Sequence, residues 1–168
     1  LVQSELNTPG TSRDLLLPAA TDHSPVISLG GAIDPATGEG VEGIAFVHYK
    51  KGFGKSNVKG RPGGSSACYS FLANGAKWKS AEDYLFDPTN VEGLDPAILR
   101  TLLSTSAETW DREVVADVFG AEVAGVVDGV DTSSPDGKNE VLFGNVASQG
   151  AIAVTVVWGN FYGPPSQR

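Results

Sequence analysis

The sequence predicts an α+β fold: a twisted mixed β-sheet packed on one amphipathic helix, preceded by a loose N-terminal segment. Three observations predict it. Leu99, Leu102, Leu103, Ser106, Ala107 and Trp110 recur at helical spacing behind Asp95-Pro96. Gly43 to Tyr49 alternates as a half-buried strand does, and Ala151 to Trp158 is an uncharged, β-branched run. Leu1 to roughly Ser28 is polar and interrupted by Pro9, Pro18 and Pro25.

Taken in order, Asp34-Pro35-Ala36-Thr37-Gly38 is a turn, because Asp and Pro start turns and Gly closes them. The strand that follows puts Ile44, Phe46 and His48 on one face and Ala45, Val47 and Tyr49 on the other. Lys50 to Ser66 then holds Gly52, Gly54, Gly60, Gly63 and Gly64, a density at which no regular element survives. It reads as an exposed linker, and it divides the chain into residues 1–66 and a main domain of residues 67–168. Trp78 to Phe86 reads as a strand ended by Asp87-Pro88. Asp95 caps the helix and Pro96 suits its first position, where no N–H is required. Val114 to Val127 fits either a helix end or a strand. Thr132 to Asn139 is a turn around Pro135-Asp136-Gly137. Glu140 to Val146 and Ala151 to Trp158 are two strands joined by a short polar loop, the second apolar on both faces and so expected centrally in a sheet.

Composition narrows the function. At 40% hydrophobic and 19% charged, the 168 residues suffice for one core. Twelve basic residues face twenty acidic ones, for a net charge of -8 and a pI near 4.6, which argues against nucleic acid and anionic lipid as partners. The longest apolar run is too short for a membrane helix. Cys68 is the single cysteine, so no internal disulfide is expected, and with only His23 and His48 a three-histidine zinc site is excluded. The chain lacks Met and any signal-peptide pattern at Leu1, which fits a processed chain or a piece of a longer reading frame.

Several motifs fail on inspection. Gly52-Phe53-Gly54-Lys55-Ser56 ends like a phosphate loop, but Tyr49 stands where the loop's first glycine belongs, and Asn57 spoils the dinucleotide pattern. Gly63-Gly64-Ser65-Ser66-Ala67 has Ala67 in place of the last glycine of a nucleophile elbow. Asp128, Asp131, Asp136 and Glu140 offer hard oxygen ligands for calcium, at spacings unlike the helix-loop-helix template. Glu82 and Asp83 point to opposite strand faces, so with Asp87 they read as solvated carboxylates. His48 reads as structural, and Trp78, Trp110 and Trp158 as core or rim anchors, or else as a carbohydrate platform. Lys50, Lys51, Lys55, Lys59 and Arg61 form a basic cluster, either a solvated face or a cleavage site for a processing protease.

From Cys68 onward the order of pieces resembles the front of a matrixin-type (metzincin) zinc metallopeptidase. The pieces are Cys68, Lys77-Trp78-Lys79, Tyr84, Asp87-Pro88-Thr89-Asn90, the helix from Asp95 to Trp110, Asn139 to Gly144 and Ala151 to Trp158. Ser106-Ala107-Glu108-Thr109-Trp110 and the last strand are similar to those of secreted microbial members. Gly43 to Tyr49 is similar to a propeptide segment. The resemblance implies a secreted zymogen whose full-length form hydrolyses peptide bonds with a zinc-activated water, calcium being a possible second ion. It implies the upper part of the metzincin fold, with peptide substrate bound as an extended strand along the sheet edge. The family's His-Glu-x-x-His-x-x-Gly-x-x-His helix is missing, so the chain as it stands is expected to be inactive, with neither catalytic nor metal-ligating residues and with the remainder of its own domain as a partner. Cys68 is then a candidate latency residue, its thiolate occupying the zinc position that water needs, or else a disulfide half or an inert thiol. Lys50, Lys51, Lys55, Lys59 and Arg61 are the candidate activation loop. The other class that fits is a complete, non-catalytic extracellular binding or adhesion domain.

Overall fold

The computed structural model describes residues 14–15, 17, 25–53, 73 and 75–161. Among them are one helix and eight strands in three sheets, an α+β composition. The contacts divide the chain into two compact units. One takes in Ser80–Gly129 and Asn139–Asn145. The other takes in Val130–Lys138 with described residues of Leu15–Lys79 and Val146–Arg168. The strands thus fall into separate sheets instead of one mixed sheet.

The second unit is built on an antiparallel sheet in the order β2-β3-β8, from β2 (Val26–Ile33), β3 (Gly40–Tyr49) and β8 (Ala151–Gly159). β2 and β3 form a hairpin whose turn is organised by Asp34. The Asp34 carboxylate accepts the Ala36 N–H and the Thr37 hydroxyl, both at 2.8 Å. The Asp34 carbonyl accepts the Gly38 N–H at 2.8 Å, and Gly38 takes a φ of 72° that favours glycine. β2 begins at Val26, inside the stretch expected to be loose. Its exposed-and-half-buried alternation, hidden beside Pro25 and a bulge between Ser28 and Gly30, is a strand pattern only once β3 is alongside.

β3 holds the middle of this sheet, and that corrects the expected central place of β8. Among the described residues β8 pairs on one side only. Burial follows the same order. Ala45 is 0% exposed and Val47 3%, whereas Ile152 on β8 is 63% exposed. A continuous apolar run marks a strand but not its rank in the sheet. Gly43 is required small as well, because a Cβ there would lie 2.6 Å from the Trp158 indole. That indole donates its Nε1–H to the Asp131 carbonyl at 2.7 Å, so it cannot easily swing away. β3 and β8 stand on opposite sides of residue 66, where the sequence reading divides the chain.

In the first unit, β4 (Glu82–Asp87) runs between β5 (Phe119–Glu122) and β6 (Glu140–Leu142), parallel to both. β4, α1 (Pro96–Asp111) and β5 make a βαβ crossover. The Asp95 carboxylate accepts the Ala97 N–H at 2.7 Å, and Pro96 opens the helix, as the sequence predicts. The apolar stripe is narrower than predicted. Leu99 and Leu103 are half-buried and Ala107 is buried, one helical turn apart, while Leu102, Ser106 and Trp110 are exposed. The β4 strand starts at Glu82, and Trp78 lies before it at 52% exposure. The ambiguous stretch after the helix becomes turns and then β5. Glu140 to Val146 splits into β6 and β7 (Asn145–Val146), and β7 pairs with β1 (Asp14–Leu15). β6 and β8 are therefore not a hairpin, since each finds its partner elsewhere.

Two substitutions check these contacts. Asp95→Ala should cost about 1 kcal/mol through loss of the cap, read as a lower urea midpoint followed by helical circular dichroism. Gly43→Ala should cost about 1–3 kcal/mol by overpacking against Trp158, with a lower melting temperature and altered tryptophan fluorescence.

Candidate functional site

The first unit has an open cleft of ≈ 410 Å³ between α1 and the β4–β5 strands. Tyr84, Arg100, Glu108, Asp111, Phe119 and Glu122 are among its lining residues. The chemistry of these groups is largely committed. The Arg100 guanidinium is ion-paired with Glu122 and lies 5.4 Å from the centre of the Phe86 ring. One Asp111 oxygen accepts the Val118 and Phe119 N–H groups, at 2.8 and 3.2 Å, and so fixes the chain as it enters β5. Asp83 accepts the Ala121 N–H at 2.8 Å from the neighbouring strand. Gly120 allows this close approach, because a Cβ there would run into that carboxylate. Sequence reasoning missed this cleft. Arg100 and Glu122 meet only because the crossover returns β5 beside β4.

In the second unit the functional candidates lie at the end of β3. Lys50 and Lys51 are exposed, and residues 51–53 form a turn closed by the Phe53 N–H on the Lys50 carbonyl at 3.0 Å. The Lys50 N–H donates to the Gly150 carbonyl at 2.8 Å, which anchors the turn to the start of β8. His48 is exposed and sits 3.1 Å from the Thr155 hydroxyl, a cross-strand pair in keeping with its structural reading. Tyr49 and Ser148 hydroxyls pair at 3.2 Å. Of the tryptophans, Trp158 is packed on Gly43, while Trp78 and Trp110 are 52% and 67% exposed, each in its own unit. His23, Lys55, Lys59, Arg61 and Cys68 lie outside the described residues.

The acidic candidates are divided between the units. In the first, Glu140 accepts the Asp128 N–H at 3.0 Å. In the second, Asp131 accepts the Asp136 N–H at 2.7 Å, and Asp136 accepts the Lys138 N–H at 2.8 Å and faces the Lys138 ammonium at 2.7 Å. Partial burial pushes the Asp136 carboxyl up, but the Lys138 contacts and the bond from Asp131 outweigh it, and the net direction is downward. The Asp34 carboxyl is also lowered, first by the Ala36 N–H and then by the Thr37 hydroxyl. Asp87 accepts the Thr89 N–H at 2.9 Å in the turn after β4.

Zinc can be tested against this arrangement. His48 is the only described histidine, it is partnered by Thr155, and no cysteine is among the described residues. These residues do not make a nitrogen-and-sulfur donor set for zinc. No helix of the described residues is long and apolar enough to cross a membrane. No family model matches the chain, no curated protein matches it, and no solved structure matches it.

The lowered carboxyls give a signed pH dependence. Their stabilising bonds are fully present above the ordinary value of 3.8 and are lost as pH falls through the lower folded-state values. Thermal melts taken from neutral to strongly acidic pH should show the melting temperature falling below that value. Asp34→Asn should melt lower at neutral pH and lose less on acidification, because its side chain no longer titrates.

Proposed function

We propose that the chain is the front part of a secreted zinc endopeptidase of the matrixin type. The observation that supports this reading is the order of elements in the first unit. β4 follows Lys77-Trp78-Lys79, α1 carries Trp110 in its last turn, and β5 and β6 then flank β4. The described residues do not fit zinc, so no chemical step is placed on them. Under this reading the metal's ligands and the catalytic carboxylate belong to sequence beyond Arg168, and this chain supplies sheet and substrate contacts. A peptide would add as an extended strand to a sheet edge, held by main-chain hydrogen bonds. Cys68 is the latency residue and the basic cluster of Lys50, Lys51, Lys55, Lys59 and Arg61 the activation loop.

A second reading, a non-catalytic extracellular binding domain, is favoured by the outer side of α1. Ile98, Leu102 and Trp110 are 59%, 59% and 67% exposed there and recur at multiples of four residues.

The two readings separate on one experiment. The open reading frame is extended past Arg168 by about 100 codons, ample for a helix of a few turns, and the product is assayed for zinc and for peptide hydrolysis. The peptidase reading expects one zinc per chain and activity abolished by a chelator, with neither zinc nor activity in Leu1–Arg168 alone. Cys68→Ala in the extended protein should then be active without prior cleavage. A stop codon directly after Arg168, or an extended product without zinc or hydrolysis, overturns it in favour of the binding domain.

A further inference from the structure

The edge of β8 is a strand-acceptor surface, and its occupant is the chain's own β2–β3 hairpin. We propose that this surface holds the hairpin without covalent continuity, so that a cut beside Lys51 leaves the N-terminal piece in place. The inference holds whether or not the chain belongs to a peptidase. It bears on any release of an N-terminal segment by cleavage at the basic cluster.

The contacts that cross such a cut are numerous and are of several kinds. β3 and β8 are paired antiparallel from Glu42 opposite Gly159 to Tyr49 opposite Ala151. At the end nearest the cut, the Lys50 N–H donates to the Gly150 carbonyl at 2.8 Å. His48 reaches the Thr155 hydroxyl at 3.1 Å and Tyr49 the Ser148 hydroxyl at 3.2 Å. At the far end the Trp158 indole covers Gly43, while its N–H is held by the Asp131 carbonyl, which also belongs to the C-terminal piece. Between these ends Ala45 and Val47 are 0% and 3% exposed. Removing the hairpin would strip that apolar surface and leave β8 with no described strand partner. Its nine residues contain no charge and no proline to protect an open edge. The cut itself would fall in an exposed turn, outside every strand pair named here.

The acceptor is selective for shape. Position 43 must lack a side chain, and positions 45 and 47 must be small and apolar. A foreign extended peptide with bulky residues there would not displace β3.

The test uses the full chain with a site-specific protease sequence inserted after Lys51. Cleavage is followed to completion on a denaturing gel, and the product is run on native gel filtration. The expected result is co-elution of both pieces with an unchanged far-ultraviolet circular dichroism spectrum, and their separation only in denaturant. Elution of the N-terminal piece alone, or precipitation on cutting while the uncut protein stays soluble, overturns the proposal. Two variants locate the retaining contact. In the cut protein Gly43→Val should speed dissociation of the hairpin at least tenfold. His48→Ala, at an exposed position, should speed it a few-fold without disturbing the uncut fold. Unchanged dissociation in His48→Ala, with Gly43→Val either unchanged or unfolded before cutting, overturns β3–β8 pairing as what holds the pieces together.

Discussion

The pairing of β3 with β8 is the constraint on which the second unit depends. It joins segments more than a hundred residues apart, and among the described residues β2 pairs with β3 alone. Loop closure over such a distance is unfavourable until side-chain burial offsets it. The offset comes from a narrow match: a glycine under an indole, an alanine and a valine without appreciable exposure, and an indole N–H fixed by the Asp131 carbonyl. Larger residues on β3 would lift the strand from Trp158, and β2 would lose its place with it.

The first unit solves a different problem. Parallel strands cannot be joined by a tight turn, so β4 reaches β5 through α1. Carboxylates fix the ends of that crossover. Asp95 opens the helix, Asp111 gathers the two amides that lead into β5, and Asp83 takes an amide of β5 itself. Asp34, Asp87, Asp131, Asp136 and Glu140 likewise accept main-chain N–H groups. In this acidic chain many of the carboxylates thus act as local acceptors that satisfy turns and strand ends.

The functional candidates divide in the same way. His48 has a cross-strand hydroxyl partner in Thr155. Lys50 and Lys51 are exposed in a turn, the setting a cleavage site requires. The α1 cleft had no sequence signature, because Arg100, Asp111 and Glu122 come together through the return of β5 and not through any spacing along the chain.

Local chemistry was legible from the sequence alone. Asp95-Pro96 announced a helix start, Asp34 to Gly38 a turn, and Gly43 to Tyr49 an alternating strand, because each depends on neighbours within a few residues. Tertiary structure decided the rest. It placed β3 and not β8 at the centre, narrowed the helix stripe to Leu99, Leu103 and Ala107, made a strand of Val26–Ile33, and separated parallel from antiparallel pairing. Those outcomes depend on which distant surface each strand meets. An apolar residue records only that burial is favourable, whereas the size and position of its partner determine where that burial occurs.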